Sequence, residues 1–185
     1  NPTKRDSTFS IRMSNVGKHP RKLWFDSKSK DERSPINVPT QIKFLYGHML
    51  EELVKLFVVM SGHDLTGQQK EVVVDSVVGH IDCIIDEEVV DIKTASSFAF
   101  NKFKHGTLRD DDAFGYLGQL AGYEESEGTN KGGLLVINKE SGELCFYRPE
   151  DLDKPNIRNK IKNIRNALKK STPPVDYCFK PVLDG

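Results

Sequence analysis

The stretch Gly79-His80-Ile81-Asp82-Cys83-Ile84-Ile85-Asp86-Glu87-Glu88-Val89-Val90-Asp91-Ile92-Lys93 decides how this chain folds. β-Branched residues dominate it and run back through Val72-Val73-Val74 and Val77-Val78, a composition that suits a pleated surface. With Glu87-Glu88 as a two-residue turn, residue 86 faces 89, 84 faces 91 and 82 faces 93. Side chains alternate along a strand. One face then carries Ile81, Cys83, Ile85, Val90 and Ile92, all apolar, and the other carries Asp82, Asp91 and Lys93. A three-residue turn would mix the two sets, so the clean apolar face selects an even register.

Two carboxylates and a lysine on one sheet face are chemically specific. Asp82 and Asp91 would repel each other unless a cation lay between them. Oxygen donors without thiolates or paired imidazoles point to Mg²⁺ or Mn²⁺. Such an ion can polarise a phosphoryl oxygen and activate a water. Lys93 could orient that water or stabilise developing negative charge. The competing reading is a salt bridge across a surface hairpin.

On the N-terminal side, residues 40–61 read as a helix, with Ile42, Leu45, Met49, Leu53, Leu56 and Met60 at spacings of three and four. Val54 and Val58 add a second apolar side, so the helix is expected to be buried on more than one face. Glu51 lies among them, one turn after Gly47, and a covered carboxylate wants a metal or a base. Glu52 is its rival, nearer the edge of the main apolar stripe. Residues 1–37 hold few apolar anchors (Phe9, Ile11, Leu23, Trp24, Phe25) and read as a loosely packed arm with one short structured piece near Arg21–Phe25.

On the C-terminal side, Thr94, Ser96, Ser97, Lys102 and Lys104 suit phosphate contacts. Residues 98–104 are ambiguous between helix and strand. Asp110-Asp111-Asp112 precede a helix over 113–127, where acids favour the N-terminus. Gln119 and Tyr123 share a face of that helix. Leu134–Asn138 and Glu143–Tyr147 form a hairpin around Ser141-Gly142. A basic helix over 155–170 ends before Pro173-Pro174. His80 reads as structural. The order helix, strands, helix, strands, helix gives an α/β fold around a mixed sheet.

The 185 residues suit one domain of roughly 100–200 residues. Its parts are a basic arm (1–37), a core (38–150) and a basic helix with tail (151–185). No apolar run approaches the roughly 18 residues a membrane span needs. Asn1-Pro2-Thr3-Lys4-Arg5 lacks the apolar region of a leader, and the absence of an initial Met fits a processed chain or a piece of a longer one. Cys83, Cys145 and Cys178 are too far apart for a disulfide framework or a CxxC metal site, so a reducing cytoplasm is expected. Net charge is zero but segregated: residues 1–35 hold nine basic and four acidic residues, 36–150 ten and nineteen, and 151–185 eight and four. An acidic centre between basic ends suits an enzyme that holds a metal and grips a polyanion. Arg21, Lys22 and the basic helix are candidates for that grip, and equally ordinary basic surface.

Gly47…Glu51, Gly79-His80-Ile81-Asp82, Asp91-Ile92-Lys93 and Gln119…Tyr123, in this order over about residues 40–140, resemble the PD-(D/E)XK nuclease superfamily, in its RecB-like and lambda-exonuclease-like branch. Ser14-Asn15-Val16-Gly17-Lys18 and Arg21-Lys22-Leu23-Trp24 resemble the N-terminal segment of small phage nucleases. The resemblance implies a restriction-endonuclease-like core, a mixed β-sheet flanked by α-helices. It implies Mg²⁺ (or Mn²⁺) held by Asp82, Asp91 and the backbone carbonyl of Ile92, with Glu51 completing the acidic site. Lys93 would position the hydrolytic water. Gln119 would support the site or touch DNA, with Tyr123 beside it. The implied activity is metal-dependent hydrolysis of DNA to 5′-phosphate products, as a phage-type exonuclease of recombination or processing in a bacterial or phage-infected cytoplasm. An annealing protein or helicase would be its partner. A junction-resolving endonuclease, a catalytically silent DNA-binding module and a nuclease acting on RNA are the alternatives.

Overall fold

The computed structural model describes residues 9–28 and 37–175. Cys178 and the outer parts of both basic ends lie outside them. Two short helices, α1 (Met13–Val16) and α2 (Pro20–Lys28), precede the long α3 (Val38–Met60). Strands β1 (Leu65–Thr66), β2 (Lys70–Val74), β3 (Val77–Ile81), β4 (Cys83–Ile85) and β5 (Glu88–Ala95) follow. Then come α4 (Ser97–Lys104), α5 (Tyr116–Glu127), β6 (Gly132–Asn138), β7 (Leu144–Tyr147) and α6 (Ile157–Leu168). The main sheet runs β1-β4-β5-β6-β7, with β5 and β6 parallel and the other pairs antiparallel, while β2 and β3 form a separate hairpin. This is the expected mixed sheet flanked by helices. No helix among the described residues is long and apolar enough to cross a membrane.

The β4–β5 turn falls one residue earlier than the sequence suggests. Asp86 and Glu87 both take positive φ, as the tightest hairpin turns require, and Ile85 faces Glu88, Ile84 faces Val89 and Cys83 faces Val90. The pairing moves by two residues, so face parity survives. Cys83, Ile85, Val90 and Ile92 pack together with Val54 and Leu50 of α3. Ile81 does not join them. It packs on the other side with Val72, Val74 and Leu120, because the chain leaves one sheet for the other at Asp82 and parity does not carry across that break.

The long helix forms as its periodicity predicts, with Asn37 capping its start, but the expected burial fails. Ile42, Leu45, Met49, Leu53, Leu56 and Met60 are all exposed, Met60 to 74%. The row through Leu50 and Val54 meets the sheet instead. A helix with two apolar rows can seat either, and the sequence period does not choose.

The N-terminal segment is also not a loose arm where it is described. Met13, Val16 and Leu23 are fully buried, and the Trp24 indole N–H donates to the carbonyl of Lys170 at 3.0 Å. α1 lies so close to α5 that a Cβ on Gly17 would sit 1.8 Å from the Gly115 carbonyl oxygen, and one on Gly118 would sit 2.5 Å from the Gly17 Cα. α6 buries Ile157, Ile161 and Ile164 and turns its basic side outward.

Candidate active site at the end of β5

Lys93 lies two residues after Asp91 on β5, so both side chains leave the same face. The β4–β5 ladder stops at Cys83 and Val90, and the Asp82 carboxylate extends it by accepting the Ile92 N–H at 2.8 Å. The change of sheet thus fixes Asp82 beside Asp91.

Asp91 is completely buried. Its Oδ2 lies 2.6 Å from Lys93 Nζ in a buried ion pair, with Asp82 packed beside it. Burial, and then the charge of Asp91, push the Asp82 carboxyl up to about 7, against the pull of Lys93 and the Ile92 N–H. Burial alone would lower the Lys93 ammonium, but Asp91 and Asp82 outweigh it and hold it above its ordinary value. Lys93 is therefore a charged donor at neutral pH and not a base.

α5 covers the site from one side. Gln119 Nε2 donates to the Tyr123 hydroxyl at 2.9 Å, both side chains are buried, and burial followed by Asp91 raises that phenol. Gly79 makes room for this ring, since a Cβ there would lie 2.9 Å from Tyr123 Cε1. Tyr116, on the same face of α5, lies with its ring centre 5.3 Å from Lys93 Nζ. Asp112 pins the start of α5 by accepting from the N–H groups of Gly115, Tyr116 and Leu117 at 2.8–2.9 Å, the helix-end role expected for the acidic run.

The charged cluster opens both ways. A cleft of about 640 Å³ is lined by Asp82, Gln119, Tyr123, His80 and Arg12. Another, of about 250 Å³, is lined by Lys93, Ser96, Lys102, Lys139, Phe114 and Tyr116.

Other expected residues are placed elsewhere. Glu51 is the covered member of its pair, with an 18% exposed side chain against 70% for Glu52. Its carboxylate is held by the buried Lys55 at 2.7 Å, and no set of three His, Cys, Asp or Glu side chains converges on a metal position among the described residues. Gly47 does lie over β5, near Thr94. Ser96 caps α4, Ser97 donates to Glu140, and Lys104 pairs with Glu143. Arg21 donates to the Pro174 carbonyl and Lys22 sits near Asp26, so α2 uses both against its own surroundings. Of the proposed phosphate contacts, Ser96 and Lys102 line a cleft with Lys93. Tyr116 and Lys55 escaped the sequence reading, although the spacings to Gln119 and Glu51 carry both signals. Arg12 gives no such signal.

The residues fit a divalent cation. Asp82 and Asp91 are hard oxygen donors packed together, and the repulsion that raises Asp82 shows that the single charge of Lys93 does not fully balance the pair.

The fold is similar to that of solved exonuclease structures. It is similar to the alkaline exonuclease of Laribacter hongkongensis, with a TM-score of 0.57 and 12% identity over 86% of this chain and 87% of that one. That enzyme solved in complex with dAMP gives a TM-score of 0.55 at 13% identity, covering 85% and 87%. A phage-related exonuclease of Haemophilus somnus 129PT gives 0.54 at 12% identity, covering 87% and 92%. The chain shares the fold of these structures. No family model and no curated protein sequence matches the chain.

Proposed function

We propose that the protein is a divalent-metal-dependent deoxyribonuclease, acting as a phage-type exonuclease in DNA recombination or processing. The buried Asp91, ion-paired with Lys93 and packed beside an Asp82 whose carboxyl it pushes up, is the observation that carries this reading. The exonuclease fold of the structural relatives supports it, as does the nucleotide bound to one of them. Asp82, Asp91 and the Ile92 carbonyl would hold Mg²⁺, with Mn²⁺ as the substitute. The ion when bound would supply positive charge at a phosphoryl oxygen and acidify a water.

The chain's own groups do the rest. Lys93 stays protonated and donates hydrogen bonds, so it orients the attacking water or stabilises negative charge on the phosphate. Gln119 and Tyr123 exclude bulk water from the Asp91 side. Glu51 is bonded to Lys55, so its part is to balance charge under α3.

The test compares linear with closed circular DNA, with Mg²⁺ and with EDTA, beside Lys93→Ala. Loss of linear DNA only, abolished by EDTA and by the substitution, is the expected result. Nicking of circles would make the protein an endonuclease. A folded protein that cleaves neither substrate with either metal would overturn the reading.

A further inference from the structure

We propose that Phe114 is a stacking platform for a base of a single-stranded nucleic acid whose backbone enters the cleft of Lys93. The inference rests on the nuclease reading and extends it to the form of the substrate.

Phe114 is 63% exposed, yet its ring is not loose. It stacks on Tyr116 with centroids 5.5 Å apart and planes 20° from parallel. Tyr116 in turn lies beneath the Lys93 ammonium. The turn that carries Phe114 is held by the three N–H groups bonded to Asp112 and closes on Gly115, whose φ of 80° favours glycine. A ring fixed in advance loses little entropy when a flat partner lands on it.

The cations lie where a backbone would follow. Lys93, Lys102 and Lys139 line the same cleft as Phe114, together with Asp111, which pairs with Lys102, and Asp112, whose carboxylate is taken up by the start of α5. Lys102 also sits 5.3 Å from the ring centre of Phe98, which is 78% exposed. Exposed rings interleaved with lysines bind single strands by base stacking and charge, whatever the sequence. A duplex buries its base faces in its own stack, so a base that lands on Phe114 must be unstacked from its neighbours.

The experiment measures binding of a fluorescent oligodeoxythymidylate and of an abasic strand of the same length. Ca²⁺ replaces Mg²⁺, and the strands are checked to remain intact. Phe114→Ala should weaken binding of the base-bearing strand roughly 5- to 150-fold, the range expected of one base–aromatic stack. The abasic strand should bind both proteins equally, and Phe114→Trp should restore the lost affinity. Matching thermal unfolding of the variants shows that the fold is intact. Equal binding of the base-bearing strand by wild type and Phe114→Ala would overturn the platform and leave the nuclease reading standing. Equal weakening for both strands would also overturn it. A wild-type protein that binds neither strand would overturn the platform, and the cleavage of linear DNA alone decides the nuclease reading.

Discussion

Asp82→Asn should make the metal-free protein more stable while destroying its cleavage activity. The wild-type carboxyl is pushed up from 3.8 to about 7 by burial and by Asp91. A carboxyl raised on folding costs nothing well below its unfolded value. The cost grows as pH rises and is complete once pH passes the folded value. A rise of roughly three units corresponds to a limit of about 4 kcal/mol. Asparagine keeps the acceptor for the Ile92 N–H and removes the charge that Asp91 repels. The expected gain in EDTA is therefore near zero at about pH 4 and about 1–4 kcal/mol at about pH 8. Saturating Mg²⁺ should narrow that gap by stabilising the wild type alone. Urea denaturation across this pH range, with EDTA and with Mg²⁺, measures it. A gap that does not change with pH, or a variant less stable than wild type at high pH, would refute the electrostatic account.

Gly17→Ala should cost at least about 2–3 kcal/mol in urea denaturation, because its Cβ would meet the Gly115 backbone and no flexible side chain is there to yield. Gly47→Ala should be neutral or stabilise by up to about 1 kcal/mol, since its Cβ would meet Thr94 Oγ1 at an ordinary 3.6 Å and alanine favours a helix. Asp112→Ala removes the acceptor of three N–H groups and should cost about 1–2 kcal/mol, read as a lower thermal midpoint.

The strand of the candidate site was legible because burial on one side forces a period of two. Cys83, Ile85, Val90 and Ile92 obey it even though the turn lies one residue earlier than expected. Ile81 broke the pattern because the parity argument assumes one continuous strand, and nothing in the local sequence marks the change of sheet at Asp82. The register reading nonetheless brought Asp82 to Asp91 and Lys93. Helix α3 shows a different limit: its period fixed the element, but its two apolar rows left the packed face undetermined. The structured piece near Arg21–Phe25 is α2, with Leu23 and Trp24 as its buried anchors, but α1 gave no signal because it buries only two residues against β3, α5 and α6, far along the chain. The cations failed for a related reason. Arg21 and Lys104 look like phosphate contacts in sequence, but the chain brings Pro174 and Glu143 to them.

The bond from Trp24 to the Lys170 carbonyl joins residues 146 positions apart, and the Arg21 bond to Pro174 spans 153. Loop closure on that scale is slow, and contacts of high sequence separation delay folding. During synthesis, α1 and α2 wait for α5 and α6 before their buried residues are covered. The support behind Gln119 and Tyr123 is therefore among the last parts to form. A chain halted before α6 emerges would carry Asp82, Asp91 and Lys93 without the packing that supports α5 beside them.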